Sequence, residues 1–270
     1  GTQANNLSEW PSISADGRYV AFFSYATNLE GGGRGDFVHD RQTQQTTRVS
    51  VASDGTPAWG GTPPSISADG RYVAFHSSSN LVPGDANSAD DVFVHDRQTG
   101  QTTRVSVASD GTQGNQDSGV YGVAISADGR YVAFYSVASN LVLDDTNGVG
   151  DVFLHDQQTG QTTRVSVASE GSQGNGRSGY SGFSGVSISA DGRYVAFYSE
   201  ATNLVPSDIN GIGDIFVHDT HTGWTIRVSV ASDGVEANDG SDWPSISADG
   251  RYVAFQSYAT NLVPGDTNGA

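Results

Sequence analysis

The string SADGRYVAF occurs five times in this chain, and that repetition constrains the fold more than any other feature. Its aspartates are Asp16, Asp69, Asp128, Asp191 and Asp249, so successive copies lie 53, 59, 63 and 58 residues apart. Between copies runs a second string of the type DVFVHDRQTGQTTRVSVAS. It is present four times, with histidines at His39, His95, His155 and His218.

Each unit reads as four short strands. PSIS, as at 64–67, is the first. ADGR is a tight-turn signature, because aspartate tolerates the turn angles and glycine permits positive φ. RYVAF is β-branched and aromatic and suits a strand packed on both faces. DVFVHD, a second turn in DRQTGQ, and TTRVSV complete the unit. No segment has helical periodicity over ten or more residues, so the chain is expected to be all-β. Four antiparallel strands per period of roughly 40–60 residues predict a β-propeller of four-stranded blades.

These units resemble the TolB-type propeller repeat, a relative of the WD repeat, over essentially the whole chain. SADGR stands where that family often has SPDGK, and the insertions between blades are long. The resemblance implies a bacterial, extracytoplasmic protein, whether periplasmic, surface-borne or secreted. It implies little about activity, because propellers host binding modules, lyases, peptidase domains and scaffolds alike.

Five first strand pairs but four second pairs predict a five-bladed ring with an incomplete fifth blade, forming one domain over 1–270. A piece of a longer propeller is the alternative. Another chain supplying the missing strands is a third, since an open edge is available for pairing. The start at Gly1 reads as a mature or excised segment.

Composition removes several functions. The net charge of −17 and pI near 4.4 disfavour nucleic acid and anionic membranes as partners, and would attract cations. No apolar run approaches the ~20 residues of a spanning helix, so membrane insertion is not expected. All 13 basic residues are arginine, and there is no cysteine for disulfides, zinc–thiolate sites or a thiol nucleophile.

Strand direction sorts the loops. First-to-second and third-to-fourth turns share one face and are nearly constant. Second-to-third loops and inter-blade connections share the other and vary, as binding loops on a rigid scaffold do. The connections carry Trp10, Trp59, Tyr121, Tyr180, Phe183 and Trp243. The position after RYVAF changes through Phe23, His76, Tyr135, Tyr198 and Gln256. Aromatics here offer flat faces for sugar rings or protein hot spots. Trp10 and Trp243, at matching places, alternatively plug gaps between blades. Trp224, on the opposite face, is expected to pack on the outer blade.

The second-to-third loops read DANSADD, DTNGVGD and DINGIGD. Oxygens fall at positions one, three and seven: Asp85, Asn87 and Asp91; Asp145, Asn147 and Asp151; Asp208, Asn210 and Asp214. That spacing is the first half of a calcium loop, with Asp144 as extra charge, and makes Ca2+ the candidate cofactor. Glycine at position four, no glutamate at twelve and the different first copy (LEGGGRGDF) leave an Asx-turn as the alternative.

The four HD pairs recur on every complete blade, so they read as structural: Asp40, Asp96, Asp156 and Asp219 cap turns, and the histidines satisfy buried polar groups. An enzyme would instead use residues that break the repeat: His76, His221, Glu30, Glu200, Glu236, Asp117, Asp239 and Asp242. No GxSxG elbow or phosphate-loop context is present. The resulting expectation is a non-enzymatic propeller binding a glycan or protein on its variable face. A polysaccharide hydrolase or lyase at the axis and a structural module of a longer surface protein are the alternatives.

Overall fold

A computed structural model describes residues 3–61, 63–182 and 185–266. Every element in it is a strand. Blade 1 comprises β1 (Ser8–Ile13), β2 (Tyr19–Ser24), β3 (Gly35–Asp40) and β4 (Gln45–Arg48). Blade 2 holds β5 (Ser65–Ile66), β6 (Tyr72–Ser77), β7 (Asp91–Asp96) and β8 (Gln101–Arg104). Blade 3 holds β9 (Ser118–Ile125), β10 (Tyr131–Ser136), β11 (Asp151–Asp156) and β12 (Gln161–Arg164). Blade 4 holds β13 (Val186–Ile188), β14 (Tyr194–Ser199), β15 (Asp214–Asp219) and β16 (Thr225–Arg227). In blade 5 the described residues form β17 (Ser241–Ile246) and β18 (Val253–Ser257). Strands follow chain order and pair antiparallel throughout, which is the expected propeller meander.

The two constant strings build one unit. In blade 3, β10 pairs with β11 without a break, from Tyr131↔Asp156 to Ser136↔Asp151. Asp128 accepts hydrogen bonds from the Ser126 hydroxyl at 2.6 Å and the Arg130 amide at 2.9 Å, closing the turn around Gly129 at φ +77°. Arg130 then clamps Asp156 bidentately, at 2.8 and 2.7 Å, and covers the Tyr131 ring. Asp156 also caps the next turn at the Gln158 amide. One ion pair thus ties the two constant turns together on one face, and Arg18, Arg71 and Arg193 repeat it with Asp40, Asp96 and Asp219. The guanidinium is the main reason these carboxylates sit well below the usual range. Within each complete blade a phenylalanine from the second strand faces one from the third, as Phe134 and Phe153 do at 6.1 Å, both fully buried.

Blades join through the same residues. Each turn alanine donates to the next: Ala15 to Ala68, Ala68 to Ala127, Ala127 to Ala190 and Ala190 to Ala248. The tyrosine ring of each of the first four RYVAF copies lies against the turn glycine of the following blade, Tyr72 on Gly129 for instance. The histidines are structural, as expected. His155 Nδ1 lies 2.8 Å from Thr162 Oγ1, which donates its only proton to the Val107 carbonyl of the preceding blade. The histidine must therefore be the donor at Nδ1. Burial lowers its pKa, so it stays neutral.

Trp224 departs from expectation. It is 66% exposed: its carbonyl accepts from the Asp219 amide just before β16, the outer strand of blade 4, at the place of the exposed Gln101 and Gln161. Trp10 and Trp243 take positive φ, 55° and 54°, at breaks in the β1–β2 and β17–β18 registers. Both line an axial cavity of about 670 Å³ with prolines and small residues from all five inner strands. Trp243 also reaches Gly182 of the adjoining connection.

Candidate functional site

The variable loops meet between blades 3 and 4 in a cleft of about 510 Å³. Tyr121 comes from β9, Tyr135 from β10, and Arg177 and Tyr180 from the connection between β12 and β13. The β10–β11 loop closes one side with Asp145 and Gly148–Gly150. Both variable loop sets therefore share one face. The Tyr121 and Tyr180 rings are 4.2 Å apart, and Tyr135 meets Tyr121 edge-on at 5.2 Å. Arg177 covers Tyr180 at 5.3 Å, and Gln116, Asp117 and Ser139 supply polar rim groups. Tyr135 is 4% exposed and its pKa is pushed up to about 12, chiefly by burial.

Tyr135 is seated by a partner that the sequence reading missed. A Cβ at Gly150 would lie 2.3 Å from the Tyr135 hydroxyl, so this residue must be small for the ring to lie down. Gly213 serves Tyr198 in the same way, and Tyr198 donates to Glu200 at 3.2 Å. In blade 2 the pair changes together: His76 replaces tyrosine and Asp90 replaces glycine, 4.0 Å apart. Burial pulls the His76 pKa down to about 4, so it is neutral near pH 7. The signal lay in the residue just before each DVFVHD, which covaries with the residue after RYVAF across the repeats.

Trp59 stands apart from the tyrosine cleft, on the connection between blades 1 and 2, 62% exposed with Arg34 over its ring at 4.9 Å. Phe183 lies outside the described residues. Of the repeat-breaking acids, Glu200 and Asp242 both lie near Tyr198, and Asp242 accepts from the Ser181 hydroxyl. Asp117, on the rim of the tyrosine cleft, accepts from the Asp90 amide, and Glu30 lies beside the Arg48 amide.

The loops proposed for calcium hold an arginine. Arg164, from β12, places Nη1 at 3.2 Å from Asp145 and 3.1 Å from Asp151. Arg104 bridges Asp85 and Asp91 at 3.3 and 3.4 Å. Asn87 and Asn147 act as Asx-turn residues: Oδ1 accepts from the amide two residues on, while Nδ2 donates to Asp91 or Asp151 and to a glycine carbonyl. Asn210 makes the same turn. The inner aspartates also accept from serine, Asp151 from Ser166 at 2.5 Å. In blade 1, Gly35 stands at the inner aspartate's place, and Arg48 turns to the carbonyls of Gly32 and Arg34 instead.

Blade 4 carries one carboxylate more. Glu236 stands where blades 2 and 3 have Gln113 and Gln173, so Arg227 Nη1 is shared by Glu236 at 2.5 Å, Asp214 at 3.1 Å and Asp208 at 3.7 Å. The Asp208 side chain is 1% exposed, and its Oδ1 accepts no hydrogen bond. Burial first, then Asp214, pushes its pKa up to about 6.

With this geometry in hand, solved structures identify the architecture. TolB from Acinetobacter baumannii superposes with a TM-score of 0.56 at 18% identity, covering 95% of this chain and 53% of that one. A putative TolB from Agrobacterium tumefaciens gives 0.59 at 18%, covering 96% and 72%. The fold is a TolB-like β-propeller. An oligogalacturonate lyase in complex with manganese also matches, at 0.51 and 16% identity over 93% of this chain and 58% of that one. The TolB-like chain thus spans about half the length of the Acinetobacter protein. No protein-family description and no curated protein matches its sequence.

Proposed function

We propose that this TolB-like propeller is a non-enzymatic, extracytoplasmic binding protein that takes a neutral oligosaccharide in the tyrosine cleft between blades 3 and 4. The observation that carries the reading is the cluster of Tyr121, Tyr135 and Tyr180, with a polar rim, in a cleft of about 510 Å³. Flat rings flanked by a few polar groups suit a sugar's apolar face and its hydroxyls. A net charge of −17 argues against polyanionic sugars. A glycan array with the purified chain tests this. Binding is expected on a related set of neutral glycans; silence on every glycan, or binding confined to polyuronates, refutes the reading.

Calcium belongs to this proposal at blade 4 alone. There Asp208, Asp214 and Glu236 share one guanidinium, whereas Arg104 and Arg164 each serve two aspartates. Calcium should raise the melting temperature of the parent over its value in chelator. Glu236→Gln, which restores the blade 2 and blade 3 pattern, should remove that response. An unchanged response in Glu236→Gln would place any calcium elsewhere.

A further inference from the structure

This chain has no cysteine and no methionine, the side chains that ordinarily take up oxidising equivalents, so that role falls to its 11 tyrosines and 4 tryptophans. Most of the tyrosines are kept apart. Tyr19, Tyr72, Tyr131 and Tyr194 each lie beneath an arginine and against a turn glycine. Among the described residues, tyrosine meets tyrosine only in the cleft between blades 3 and 4.

The three rings there are not equivalent. Tyr121 and Tyr180 are both half-buried, with centroids 4.2 Å apart and planes inclined at 55°. A side-chain hydrogen bond with Tyr180 is the main reason the Tyr121 pKa is raised, so the two phenols are in contact. Tyr135 is 4% exposed, meets Tyr121 edge-on at 83° and stands 6.3 Å from Tyr180. Its reactive edge is also covered: a Cβ on Gly150 would lie 2.4 Å from Cε2, the carbon beside the hydroxyl. Backbone bonds hold the nearer pair in register. The Ser178 and Gly179 amides, just before Tyr180, donate to the Gly150 and Tyr198 carbonyls, and the Tyr121 carbonyl accepts from the Gly185 amide.

We propose that Tyr121 and Tyr180 form an oxidative cross-linking site, at which a peroxide-driven one-electron oxidant joins the two rings as dityrosine. Each phenol gives one electron to the oxidant and its proton to water, leaving two neutral phenoxyl radicals. The radicals couple through carbons beside their hydroxyls, and each coupled carbon then passes its hydrogen to its own phenol oxygen. The chain loses two electrons and two protons in all, which reduce one peroxide to two waters. Rings already held together couple before either radical meets another chain. The new bond fastens β9 to the connection between β12 and β13, a long-range staple in a chain that has no disulfide. This inference rests on the ring geometry and is independent of the oligosaccharide reading.

The test oxidises the full chain with photoexcited ruthenium tris-bipyridyl and persulfate, a one-electron oxidant small enough to enter the cleft, and then cleaves it after arginine. Tyr121 and Tyr180 are the sole tyrosines of peptides 105–130 and 178–193, while Tyr135 falls on 131–164. Dityrosine fluorescence is expected in the monomeric chain, with 105–130 joined to 178–193 at their summed mass less two hydrogens. The cross-linked monomer should melt roughly 10 °C higher than the untreated chain. Tyr180→Phe, which keeps the ring, should lower the monomer's dityrosine fluorescence at least tenfold. Tyr252→Phe, altered at a tyrosine that is 64% exposed, should not lower it. Fluorescence confined to covalent dimers, a joined peptide containing 131–164 in place of either partner, or undiminished fluorescence in Tyr180→Phe overturns the proposal.

Discussion

Replacing Arg164 with methionine should destabilise the protein by about 3–5 kcal/mol, as breaking a buried ion pair does. Its side chain is 9% exposed, and it faces Asp145 at 5% and Asp151 at 0%. Methionine keeps most of the apolar stem's packing, so the loss isolates the charge. Two buried carboxylates would be left without a cation, and Asp145 already has its pKa raised by burial and by Asp151. For a chain of this size the fall in melting temperature should be on the order of 10 °C. Adding Asp145→Asn and Asp151→Asn to the methionine variant should recover a large part of it. Circular dichroism melts in calcium and in chelator check both points. If the methionine variant melts like its parent in calcium, the metal and not the guanidinium holds that loop together.

The second large effect concerns the joints between blades. Gly129→Ala should cost about 2–4 kcal/mol, combining strain at positive φ with overpacking. A Cβ there would lie 2.2 Å from the Tyr72 ring, which has the next blade against its face. Gly148→Ala is the matched control. Its φ is +69°, close to the +77° of Gly129, but nothing lies within 4 Å of its Cβ. It should lose only about 1 kcal/mol. Urea denaturation of the two variants measures the difference directly. Equal losses would mean that the tyrosine–glycine contact does not hold blades together.

The blade was legible in the sequence because its determinants are local or repeat at fixed spacing. SADGR encodes a turn that Asp128 and Gly129 close among themselves, and RYVAF and DVFLHD pair without a bulge. The carboxylates of the second-to-third loops were visible as well, but their partner was not. Arg164 sits 13 residues beyond Asp151 on another strand, in a string that reads as ordinary surface sequence. In the blade 3 loop, spacing alone therefore suggested a metal where a guanidinium stands. The tyrosine cleft was half visible. Tyr121, Tyr135 and Tyr180 stood out against the repeat, yet their convergence depends on Gly150 leaving room and on Arg177 covering Tyr180. Trp224 shows the opposite error. An aromatic residue in a turn suggested packing, but Trp224 opens the outermost strand of its blade with its side chain exposed.

If the tyrosine cleft is the binding site, isothermal titration of the strongest array glycan into parent and Tyr180→Ala will show it. Tyr180 is half-buried on a connecting loop, so its truncation should leave the melting temperature close to that of the parent. Removing one stacking ring should cost at least a tenfold loss of affinity, equivalent to about 1.4 kcal/mol. Equal affinity in the two proteins would contradict it and move the site away from blades 3 and 4.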